Sequence, residues 1–121
     1  MFVETRGSGP DVVLVHGWAM HSGIFAPLVK LLEARCTLHL VDLPGHGRSA
    51  EREGPLELGG TAQRLLSVLP RATWIGWSLG GLVCLEAARR APEQFDALAL
   101  IATSPCFVRH DEWPHGVEHA V

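Results

Sequence analysis

Gly76-Trp77-Ser78-Leu79-Gly80 is the stretch on which the fold turns, a serine flanked by glycines two residues before and two residues after it. Thr73-Trp74-Ile75-Gly76 leads into it as a short apolar run of strand type. Leu79 to Arg90 follows with helical period, stopped before Ala91-Pro92 because a residue that precedes proline is pushed out of the helical region. A serine on so sharp a strand-to-helix turn has its hydroxyl lifted above the sheet, and small residues at both flanks let strand and helix approach closely. The helix start adds unpaired N–H groups and the positive end of the helix dipole, so Leu79 N–H is a candidate donor to an oxyanion formed at Ser78. The structural alternative is a plain turn with Ser78 as the helix cap.

Outward from the turn, short apolar runs alternate with segments of helical period, the pattern of βαβ units and a parallel sheet. Asp11 to Val15, Thr37 to Val41, Thr73 to Gly76 and Ala97 to Ile101 read as strands. Phe25, Leu28, Val29 and Leu32 lie at i, i+3, i+4 and i+7 of a first helix, with Ser22 expected as its cap and Pro27 in its first turn. Leu58, Ala62, Leu65, Leu66 and Leu69 repeat the period in a second. His16-Gly17-Trp18 leaves the first strand directly, so the Trp18 N–H is the expected second oxyanion donor. His16 reads as a loop imidazole bonded to nearby backbone. Pro44-Gly45-His46-Gly47-Arg48-Ser49 reads as a tight turn that shapes its loop and lacks phosphate-cradle spacing.

Composition narrows the function classes. The chain has 121 residues, 47% hydrophobic and 19% charged, which is the mix of one folded globular unit and excludes disorder as the main state. A net charge of −3 without a basic stripe argues against nucleic acid as a partner. No apolar run approaches the roughly 18–20 residues of a membrane span, and Met1 to Arg6 shows no signal-peptide pattern, so the cytoplasm is the expected location. Cys36, Cys84 and Cys106 are odd in number and widely spaced, against a disulfide framework or a zinc site; Cys36 and Cys84 read as core residues.

With His16-Gly17-Trp18, Asp42-Leu43-Pro44-Gly45-His46-Gly47-Arg48-Ser49 and Gly76-Trp77-Ser78-Leu79-Gly80-Gly81 in this order, the chain resembles the α/β-hydrolase superfamily. Ser104-Pro105-Cys106-Phe107 and Asp111-Glu112-Trp113-Pro114, with Leu38 to Gly45, resemble more narrowly the carboxylesterase family of biotin synthesis that hydrolyses the methyl ester of pimeloyl-acyl-carrier protein. The resemblance implies Ser78 as nucleophile, Trp18 and Leu79 as oxyanion and substrate-binding residues, an acyl-carrier protein as the partner that presents the ester, and neither a metal nor an organic cofactor. Arg52, Arg64, Arg89, Arg90 and Arg109 are scattered, so the carrier partner rests on the resemblance alone.

A serine needs a base, itself oriented by a third group, and in this fold the chain order is Ser, then Asp or Glu, then His on later strands. One strand is expected after Ser78; His110, His115 and His119 fall in what resembles the start of the family's lid. The expectation is therefore a single incomplete α/β-hydrolase domain over 1–121, with the core and elbow in 1–104 and the start of the lid in 105–121, the C-terminal strands and most of the lid being absent. Such a chain should expose an apolar edge strand at Leu98 to Ile101 and self-associate, or pair with a complementing C-terminal half. Two readings stand beside the esterase: another small α/β-hydrolase acting on a different ester or acyl bond, and a catalytically incomplete fragment or binding module without the triad Asp and His.

Overall fold

The computed structural model describes residues 1–49 and 54–118; Arg52 and His119 lie outside them. Five strands form one sheet: β1 (Phe2–Gly7), β2 (Asp11–Val15), β3 (Thr37–Asp42), β4 (Ala72–Trp77) and β5 (Phe95–Ile101). Their order across the sheet is β1-β3-β2-β4-β5, with β2, β3, β4 and β5 parallel and β1 antiparallel to β3. Helix α1 (Ala26–Leu32) follows a 3-10 turn (Ser22–Phe25), while α2 (Leu58–Val68) links β3 to β4 and α3 (Leu79–Arg90) links β4 to β5.

Side chains alternate across a strand, so β2 feeds two cores at once. Val13 and Val15 join Leu65, Leu66, Trp74, Val83 and Cys84 beneath α2 and α3. Val12 and Leu14 point the other way, to Phe25, Val29, Leu38 and Leu40 beneath α1. This is why Val12-Val13-Leu14-Val15 is apolar without interruption. The outer edge of β5 is unpaired among the described residues, and Leu100 and Ile101 on it are exposed. No described helix is long and apolar enough to cross a membrane.

Several features differ from the sequence reading or add to it. Strand β1 was not anticipated: it pairs with one neighbour only, so its outer half is exposed and polar and the apolar run that marks a buried strand is missing. Ser22 is not the cap before α1. His21 caps the 3-10 turn by accepting the Gly23 N–H at Nδ1, and Ser22 is buried with its own N–H given to Asp42. The cap of α2 is Glu57, whose carboxylate takes the N–H groups of Gly59 and Gly60 and is held below its ordinary pKa by them. All three cysteines are free; burial pushes the Cys84 thiol pKa up, and Cys36 is only partly buried, at the edge of the α1 core.

A Cβ built on Gly80 would lie 2.2 Å from the Val15 carbonyl oxygen and 2.5 Å from that of His16, both backbone atoms without room to yield. Gly80→Ala should therefore cost about 3 kcal/mol or leave no folded protein. Urea unfolding measures it, and a loss under 1 kcal/mol would mean that the helix start does not sit against β2 this closely.

Candidate active site

Ser78 stands between β4 and α3 with φ 52° and ψ −117°, a left-handed conformation that costs a non-glycine residue about 1–3 kcal/mol. Its surroundings hold it there. Ser78 N–H donates to Ile101 O at 2.9 Å, Thr103 Oγ1 donates to Ser78 O at 2.6 Å, and Gly81 N–H closes the first turn of α3 on the same oxygen at 2.9 Å. The hydroxyl caps nothing, so the turn is no ordinary N-cap, and no described residue is hydrogen-bonded to it. Leu79 follows as the first residue of α3, where an N–H has no intrahelical acceptor.

The loop after β2 meets this turn. Gly17 is buried and its Cα faces the elbow so closely that an added Cβ would lie 3.2 Å from the Ser78 Cβ. Beyond it Met20 N–H returns to Gly17 O, and Ala19, at φ 57°, gives its N–H to His46 Nε2. Trp18 N–H, directly before these two committed amides, is spent on no hydrogen bond among the described residues. The Trp18 indole is 70% exposed and, with Ser78, Leu79 and Phe107, lines a cleft of about 290 Å³ above the elbow. The structure thus brings together the three residues singled out in the sequence. It adds Phe107, whose place on this wall no local spacing could reveal.

His16 is buried at the end of β2 with both ring nitrogens engaged, Nδ1 with Gly17 O at 2.8 Å and Nε2 with the N–H of Leu43 at 3.0 Å. Since Leu43 N–H can only donate, Nε2 accepts and the proton sits on Nδ1. Burial lowers the pKa of the ring below its ordinary value, which keeps it neutral. His16 is a bracket between two loops, as expected of a loop imidazole, and offers no free lone pair to a nucleophile. His110 and His115 are engaged with Trp113, the former through backbone bonds in both directions and the latter by edge-on ring contact at 5.3 Å.

Asp42 ends β3 with its carboxylate buried. Oδ1 accepts the Ser22 N–H at 2.7 Å, and Oδ2 accepts the N–H of Arg48 at 2.9 Å and its Nε at 3.3 Å. Gly47, at φ 51°, lets the turn close over the group, since a Cβ there would lie 2.6 Å from Oδ2. Ser49 Oγ donates to Asp42 O and accepts the Phe2 N–H, which ties the turn to β1. The expectation that Pro44 to Ser49 shapes its loop is met, and its anchor is this one carboxylate.

Burial alone would raise the Asp42 pKa, but the donors from Arg48 and Ser22 together outweigh it and hold the carboxyl below its usual value. A carboxyl depressed in the folded state adds stability above its unfolded pKa of about 3.9, and that contribution fades as pH falls through the folded value. Asp42→Asn should cost about 1–3 kcal/mol at neutral pH and less near pH 3, so that the acid limb of the stability curve flattens. Urea titrations at the two pH values test this; an equal loss at both would show that the charge is not what the donors hold.

The geometry can now be set beside known proteins. A family model described as the alpha/beta hydrolase fold matches residues 10–120. The chain is similar to pimeloyl-acyl-carrier-protein methyl ester esterases from Xylella fastidiosa strain 9a5c, 51% identical over 121 residues that cover 100% of this chain and 47% of the relative. It is likewise similar to the one from Stenotrophomonas maltophilia strain R551-3, 52% identical, covering 100% of this chain and 46% of the relative. The chain spans about half the length of the curated relatives it matches. Among solved structures, an esterase from Exiguobacterium antarcticum superposes with a TM-score of 0.87 at 29% identity, over 97% of this chain and 47% of that one. An N-acyl homoserine lactonase complexed with N-butanoyl homoserine superposes with a TM-score of 0.78 at 29% identity, over 87% and 42%. The parallel sheet, the strained serine between β4 and α3 and the glycine-tight approach of that helix to β2 agree with these matches: the chain belongs to the α/β-hydrolase fold family.

Proposed function

We propose that this chain carries the nucleophile-bearing part of a serine carboxylesterase that hydrolyses the methyl ester of a pimeloyl group on acyl-carrier protein, in biotin synthesis. The observation that supports it most is the strained Ser78 at the start of α3, which lines a largely apolar cleft together with Trp18, whose N–H is uncommitted among the described residues. The identity of about half the residues, over the whole chain, with esterases of that name supports the substrate class.

In this reading Ser78 Oγ attacks the ester carbonyl carbon and its proton passes to a base. Trp18 N–H and Leu79 N–H take the developing oxyanion, fixed donors that need no reorganisation as charge appears. The tetrahedral intermediate collapses with loss of methoxide, which collects the proton from the base and leaves as methanol. Water then attacks the acyl-serine and releases the free acid on its carrier. No described residue is hydrogen-bonded to the Ser78 hydroxyl as that base would be, and the family's chain order puts the Asp and His after later strands. The exposed side chains of Trp18 and Phe107 would line the acyl chain's path. The open, apolar edge of β5 supports the further reading that these residues pair with another chain, a second copy or a complementing half, which sizing at increasing concentration would register as growth in mass.

The natively produced polypeptide should react with a fluorophosphonate at one site and lose all labelling in Ser78→Ala, as intact-mass spectrometry reads directly. The same protein should cleave a carrier-linked pimeloyl methyl ester faster than methyl esters of shorter acids. Labelling that survives in Ser78→Ala would remove Ser78 from the chemistry. Labelling at Ser78 with a flat response across the ester panel would keep a hydrolase and discard the biotin-pathway substrate.

A further inference from the structure

His46 lies on the turn after β3, outside every residue assigned above to the nucleophile or the oxyanion hole, yet it touches the oxyanion loop at two points. Its Nε2 is 3.1 Å from the Ala19 amide nitrogen, and its ring meets the Trp18 indole edge-on with centroids 5.4 Å apart. On the other side Nδ1 is 2.9 Å from Pro44 O. The partners dictate the proton: an amide N–H can only donate and a carbonyl can only accept, so Nδ1 carries the hydrogen and Nε2 offers its lone pair. Pro44 is itself buried, and the turn is pinned from below by Asp42 through Arg48 and from within by Gly45 N–H to Ser49 O at 3.0 Å. His46 therefore stands on a fixed base and reaches across to a loop whose tip is exposed.

We propose that His46 is a positioning residue for the ester reaction: by holding the Ala19 N–H it fixes the peptide next to Trp18 and so aims the Trp18 N–H at the oxyanion. The inference rests on the esterase reading of Ser78. Ala19 sits at φ 57°, a conformation that an alanine leaves readily unless something retains it, and His46 Nε2 is the acceptor that its N–H has. Released, the loop could turn its amides, and a donor misplaced by about 1 Å forfeits much of its value to a transition state.

The two ring nitrogens separate the positioning role from a merely structural one. In His46→Gln the amide oxygen reaches the Nε2 position and can accept from Ala19. In His46→Asn the shorter side chain keeps the Nδ1 position against Pro44 O and loses Ala19. Fluorophosphonate inactivation of the natively produced protein should slow about tenfold or more in His46→Asn, less than the roughly 10²–10³ lost on deleting a donor outright. His46→Gln should restore most of the rate, while thermal midpoints of the two variants stay close. On the wild-type protein, nitrogen NMR of the ring should show a protonated Nδ1 and a bare Nε2, with a slowly exchanging Ala19 amide. An unchanged rate in His46→Asn, or a protonated Nε2 in the wild type, would overturn the proposal while leaving Ser78 in place. A wild-type protein that takes no label would overturn the esterase reading, and this proposal with it.

Discussion

The close approach of α3 to the end of β2 is the contact on which the rest depends. Gly80 has no side chain to keep the helix off the Val15 and His16 carbonyls, so the start of α3 comes down onto the end of the central strand. Once it is there, the connection from β4 has no room for a relaxed turn, and Ser78 takes a positive φ. The same approach sets the free N–H of the first helical residue beside the loop that leaves β2, where the Trp18 N–H also waits. One missing methyl group thus goes with both the strain at Ser78 and the nearness of the loop after β2 to the start of α3.

A second anchor serves the loops. The Asp42 carboxylate is buried and takes donors from Ser22, at the entry to α1, and from Arg48, on the turn after β3. Two elements far apart in the chain share one charge, and breaking either leaves part of it unpaired in a buried site, which is costly. From this base the rings of His16 and His46 reach the loop after β2, His16 at Gly17 O and His46 at the Ala19 N–H. The cleft is wide and apolar, but the backbone behind it is tied at almost every residue from Gly17 to Ser22.

Much of this was legible in the sequence because it is local. The four parallel strands follow from apolar runs in β2, β3, β4 and β5, and α3 runs from Leu79 to Arg90 as its period and the following Ala91-Pro92 require. Gly76, Ser78 and Gly80 name their own turn. What stayed hidden depends on distant pairing. Strand β1 is defined by its register against β3, Phe2 opposite Asp42 through Gly7 opposite Thr37, and nothing within its own six residues announces that partner. Ser22 looks like a cap by type, but the carboxylate 20 positions on claims its N–H. Phe107 joins the cleft wall only because the chain after β5 comes back to the start of α3, Thr103 against Gly81 and Phe107 beside Leu79. The histidines gave the least away, since an imidazole that brackets two loops and one that moves protons have the same letter.

In the proposed esterase, the positive φ at Ser78 sets durability against reactivity at a single residue. Glycine would suit that backbone better than serine does, so the most comfortable occupant of the position is one that cannot react. A screen that rewards heat tolerance alone would drift toward that substitution and discard the proposed nucleophile. The hydroxyl persists only where turnover is also demanded.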